Sequence, residues 1–128
     1  MVDYVWEQMS SQIEKGLRHG QGDSTTSLEL KMAIQRGDMT LWVVHEGENI
    51  QALIVLSVSV HAAGRKLFVE LLAGTGMDEW VGELEGLLKD YRDLLGAFCI
   101  EASCRRGLAE KLKRRNWKTK AVVMECPQ

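Results

Sequence analysis

Proline is nearly absent from this chain, with one residue in 128, and cysteine is scarce, with three. So little proline, with 12 glycines, argues against long disordered or polyproline segments. Cys99, Cys104 and Cys126 are odd in number and lack paired spacing, which excludes a disulfide framework and fits a reducing compartment. His19, His45 and His61 are scattered, and none has a cysteine at metal-ligand spacing, so no metal site is expected. The most apolar stretch, residues 52–60, is far below the roughly 20 residues of a membrane span, and Ser57 and Ser59 interrupt it. The first residues, Met-Val-Asp-Tyr-Val-Trp, are acidic and carry no apolar run, so no secretory signal is expected. What is present is ordinary for one globular domain over residues 1–128: 45% hydrophobic and 27% charged.

The net charge of −2 hides an asymmetry. Residues 105–120 hold eight cations against Glu110 alone, which puts +7 there and leaves −9 elsewhere. Arg105, Arg106, Lys111, Arg114, Arg115 and Lys118 therefore suggest a basic face for a partner. The competing reading is a solvated face whose counter-charges come from Glu101 or from the acidic helix of the chain itself.

Apolar spacing at Val5, Trp6, Met9, Ile13 and Leu17 predicts one helix over residues 3–19. Thr26-Ser27-Leu28-Glu29 is a capping box that opens a second helix, stopped by Gly37. The period then changes to that of strands at 40–45, 50–60 and 67–72, joined by short polar turns, which predicts an antiparallel meander. Gly74-Thr75-Gly76 closes it. Met77, Trp80, Val81, Leu84, Leu87, Leu88, Tyr91 and Leu95 mark a long amphipathic helix ended by Gly96. A strand at 98–102, a helix at 108–115 and a final strand at 118–125 follow. The strand–helix–strand step implies a right-handed crossover and parallel pairing. The order ααβββαβαβ predicts a single α/β (α+β) domain, a mixed sheet flanked by helices on both faces.

That order, with Leu71-Leu72-Ala73-Gly74-Thr75-Gly76 after the third strand, resembles the GNAT acetyltransferase superfamily. Ile100 to Trp117, with its Arg106-Gly107 step and the Lys113-Arg114-Arg115 run, is similar to short GNAT-like proteins common in bacteriophages. The resemblance covers about residues 4–125. It implies acetyl-CoA bound at Leu72, Ala73, Gly74, Thr75 and Gly76, with Glu70 of the preceding strand as general base. The chain departs from the pattern at three places. Leu71 stands where the family has a basic residue or Gln, Asp78 and Glu79 open the next helix, and the last helix lacks the tyrosine that serves as general acid. Carboxylates in a helix's first turn stabilise it but repel a polyanion there.

The expectation is therefore a bacteriophage or prophage protein with a degenerate acetyl-CoA site and no bound cofactor. It would act by binding another protein, a phage structural protein or a second copy of itself, in the virion or the host cytoplasm. The alternative is an acetyl-CoA-dependent N-acetyltransferase using Glu70. Nucleic-acid binding through the basic helix is a second alternative, weakened because only Trp117 interleaves aromatics with the cations. Cys104 precedes Arg105 and Arg106, where a thiol pKa would fall, but no histidine stands nearby in sequence to complete a dyad.

Overall fold

A computed structural model describes residues 1–19, 26–104, 106–122, 124 and 126–127. The first apolar stripe forms two helices rather than one, α1 (Val2–Gln8) and α2 (Ser10–His19). Met9 leaves helical geometry, at φ −110° and ψ 12°, just before Ser10 and Ser11, whose hydroxyls compete for backbone hydrogen bonds. The buried stripe of Val5, Trp6, Met9, Ile13 and Leu17 continues across the break. In α3 (Ser27–Arg36) the Glu29 N–H donates to Thr26 Oγ1 at 3.2 Å, and Gly37 closes the helix in the left-handed conformation. The Trp6 indole N–H donates to Ser27 Oγ at 3.0 Å and ties α1 to α3.

The strands are β1 (Thr40–Glu46), β2 (Asn49–His61), β3 (Gly64–Gly74) and β4 (Ala97–Ala102), in the order β1-β2-β3-β4. The first three are antiparallel, and β4 runs parallel to β3 after the long helix α4 (Met77–Leu95), as the crossover requires. β3 extends beyond the expected 67–72 at both ends. Each face of the sheet carries a core. Leu53 and Val55 of β2 point to one face with α1, α2 and α3. Ala52, Ile54 and Leu56 point to the other, against Trp80, Leu84 and Leu88 of α4. Each fully buried large side chain contributes about 1.5–3 kcal/mol, so β2 anchors both layers. Tyr91 packs on Trp42, with ring centroids 5.3 Å apart, and is a core residue.

The last helix, α5 (Arg106–Lys113), starts and ends two residues earlier than the spacing predicts. The N–H groups of Arg115 and Trp117 both donate to Leu112 O, and Asn116 takes φ 71°, which winds the chain off the helix. The final strand expected over 118–125 is not formed by residues 118–122 or 124, and Val123 and Glu125 lie outside the described residues. Residues 118–122 are exposed. A side-chain tether, the Lys120 ammonium on Glu101 of β4, holds this segment near the sheet in place of a backbone ladder. β-propensity in Thr119 and Val122 does not make a strand without a partner edge or an apolar face to cover.

Candidate functional site

β3 changes character at Glu70. Val55 pairs with Leu71 and Leu56 with Val69, so Glu70 is the extra residue of a β-bulge. The bulge turns the alternation over: Leu67 and Val69 enter the α4-side core, whereas Leu71 and Ala73 enter the core under α1–α3. The parallel ladder to β4 runs from Arg65↔Ala97 to Val69↔Ala102 and ends at this point. β4 itself ends there, at Ala102. A cavity of about 330 Å³ opens beside the unpaired edge of β3, walled by the far half of β3, the glycine turn, the start of α4, Ser103 and Cys104 just after β4, α5 and residues 15–17 of α2.

Two glycines shape the turn. Gly74 lies at φ 145°, and a Cβ there would sit 2.3 Å from the Gln51 carbonyl oxygen, so only glycine fits against β2. The Thr75 N–H donates to that same oxygen at 2.9 Å. Gly76, at φ 69°, stands at the N-cap of α4, and no side chain caps the helix among the described residues. The Glu79 N–H donates back to Gly76 O at 3.0 Å, and the amides of Met77 and Asp78 are left to water or to an anion. The Trp80 indole donates to Thr75 O at 2.9 Å and pins the turn to the helix.

Glu70 faces the cavity, half-buried, and its Oε1 accepts a hydrogen bond from Ser57 Oγ at 2.8 Å. Leu72, Ala73, Gly74, Thr75 and Gly76 line the same cavity, so the structure brings together every residue proposed for the catalytic and cofactor roles. The acidic start of α4 is answered from α5, where Lys111 Nζ lies 3.2 Å from Asp78 Oδ1. Lys111 also lines the cavity, as does Lys15. The basic side chain missing at Leu71 therefore has counterparts on other elements, which sequence spacing does not reveal. Gly16 was another hidden contributor. A Cβ there would meet Leu71 Cδ1 at 2.8 Å, so the glycine seats α2 directly on the far half of β3. Its signal was a glycine inside a helical pattern, a costly choice without a packing reason.

Of the expected partner-binding cations, Arg106, Arg114 and Lys118 are exposed, and Arg105 lies outside the described residues. Arg115 is exposed too, but it is engaged by α4. It pairs with Glu85, lies against Gly82 of α4 and holds the Glu85 carboxyl below the usual carboxylate range. Cys104 lines the cavity, but burial pushes its thiol up rather than down, which opposes a reactive thiolate. Among the described residues no group of three or more His, Cys, Asp or Glu side chains could hold a metal, and no helix is long and apolar enough to cross a membrane.

A mixed sheet with an antiparallel meander, a parallel fourth strand after a long helix, and a cavity just beyond the end of that strand define a GNAT-like fold. A tetramutant of the BH1408 protein from Bacillus halodurans superposes with a TM-score of 0.71 at 16% identity, over 100% of this chain and 96% of that one. An aminoglycoside acetyltransferase from an uncultured soil metagenomic sample gives 0.70 at 11% identity, over 98% and 89%. A predicted acetyltransferase from Clostridium acetobutylicum, whose structure contains acetyl-CoA, gives 0.67 at 10% identity, over 99% and 92%. At these identities the likeness is one of fold. No protein-family model and no curated protein matches the sequence.

Proposed function

We propose that the protein is an acetyl-CoA-dependent N-acetyltransferase whose active site is the cavity beside β3, just beyond the end of β4. The observation that carries this reading is the coincidence of three features: the bulged Glu70, the end of the β3–β4 ladder, and the glycine turn into α4, all on one cavity. The residues present suit such a ligand. Beyond Val69 the β4-facing edge of β3 has no ladder partner among the described residues. Strand-edge amides and carbonyls of this kind pair with an extended, amide-bearing arm, and the uncapped amides of α4 suit phosphate groups. Acetyl-CoA would supply an acetyl group activated as a thioester.

The chain's own contribution is proton transfer and orientation. An aliphatic amine near pKa 10.4 is protonated at neutral pH and must lose a proton to act as a nucleophile. Glu70, steadied by the Ser57 hydroxyl, is the base within the cavity that takes it. Repulsion by Asp78 weighs against tight binding of a polyanion, but its Lys111 partner offsets that charge. The test is cleavage of the acetyl-CoA thioester, read as release of the CoA thiol, in the presence of a panel of primary amines. Glu70→Gln should lower turnover by about a hundredfold with acetyl-CoA binding retained. An unchanged rate removes Glu70 from the reaction.

A second reading, a bacteriophage protein-binding module, draws on the exposed Arg106, Arg114 and Lys118. Replacing Arg106 and Arg114 with Glu would abolish an association that weakens with salt and leave acetyl-CoA binding intact.

A further inference from the structure

We propose that Lys111 is an exchangeable cation: it holds Asp78 at the start of α4 and trades that carboxylate for the diphosphate of an acyl-CoA, with Lys15 supplying the second charge. This rests on the reading of the cavity as an acyl-CoA site. Lys111 and Lys15 come from elements on opposite faces of the sheet. α2 is seated on Leu71, whereas Leu108 and Leu112 of α5 pack near Leu84 of α4. Both lysines nevertheless line the one cavity that the glycine turn also lines.

The Lys111–Asp78 contact has the properties of a temporary partner. Its separation is 3.2 Å, and the Asp78 side chain is 79% exposed, so solvent screens the pair and holds it weakly. Asp78 also sits in the first turn of α4, beside the amides that suit an anion, where it competes with an incoming phosphate. A diphosphate carries more charge and more acceptor oxygens than one carboxylate, so it takes the ammonium when it arrives. By contrast, the Arg115 pair with Glu85 sits on a carboxylate only 11% exposed and is built to stay.

The exchange predicts opposite signs for the two members of the pair. Calorimetric titrations with acetyl-CoA and with inorganic pyrophosphate are made on the full chain and on Lys111→Gln, Lys111→Arg, Lys15→Gln and Asp78→Asn. Lys111→Gln should weaken both ligands about tenfold and flatten the salt dependence of binding, and Lys15→Gln should weaken both by less. Lys111→Arg should keep binding within about threefold, since the charge is kept. Asp78→Asn should tighten both ligands about two- to fivefold. If Asp78→Asn weakens binding as Lys111→Gln does, the pair is a structural brace and the exchange is overturned. Binding unaffected by Lys111→Gln also overturns it. Pyrophosphate binding that depends on the lysines, without acetyl-CoA binding, would keep the exchange for a simpler phosphate ligand and sink the acyl-CoA reading. Binding of neither ligand overturns both.

Discussion

The two halves of β3 are built from the same kind of sequence and do different work. From Arg65 to Val69 the strand has a ladder on each edge, to β2 and to β4. From Leu71 to Gly74 it keeps β2 but runs on past the end of β4 at Ala102, and the cavity occupies that side. Leu67 and Val69 in the first half are as well buried as Leu71 and Ala73 in the second. Hydrophobicity therefore does not separate scaffold from site. The difference lies in where the backbone groups find partners, and the bulge at Glu70 marks the change.

Breaking the fully paired half should cost stability without touching the site. Leu67 is fully buried, and Leu67→Ala should lose about 4 kcal/mol by chemical denaturation, with acetyl-CoA affinity of the folded fraction unchanged. The other half should couple the two properties. Gly74→Ala forces a side chain onto the Gln51 carbonyl at a positive φ, which should cost about 3 kcal/mol and weaken ligand binding as the turn shifts.

A smaller effect distinguishes the charges that brace each half. Glu101, beside the paired half, is held below the ordinary carboxylate range by Lys120 and then Lys66, and Glu85, under α5, chiefly by Arg115. Both titrate lower in the folded chain than in the unfolded one. Their stabilisation is therefore complete above the unfolded value near 4.3 and fades as pH falls through the folded values. Arg115→Gln should cost at most about 1 kcal/mol at pH 7 and remove part of the stability lost between about pH 5 and pH 2. Denaturation midpoints across that range would show it. If the variant loses as much stability on acidification as the parent, the Glu85 pair is not the cause. Ser57→Ala should be milder for the fold, about 0.5–1 kcal/mol. Because it removes the Ser57 hydrogen bond that orients the Glu70 carboxylate, it should still slow turnover several-fold, readable in an amine acetylation assay.

The helices, the meander and the glycine turn are legible because each has a local signature: the stripe of α4, the Thr26 cap, the glycines at 37, 74, 76 and 96. The bulge is not. Leu67, Val69, Leu71 and Ala73 alternate without interruption, so nothing in the sequence shows that the face reverses at Glu70. Lys15 is also hidden, since it reaches the site only through the seating of α2 by Gly16, about sixty residues away in the chain. The pairing of Arg115 with Glu85 explains why a +7 segment need not be a partner surface throughout. The expected last strand shows the limit of propensity: residues 118–122 stay outside the sheet and reach it through Lys120 on Glu101.

Amide hydrogen exchange along β3, with and without acetyl-CoA, tests the division of the strand most directly. The account predicts that saturating acetyl-CoA protects amides from Leu71 to Asp78 and leaves residues 65–69 at their prior rates. Protection spread evenly over both halves, or none at either, would contradict it.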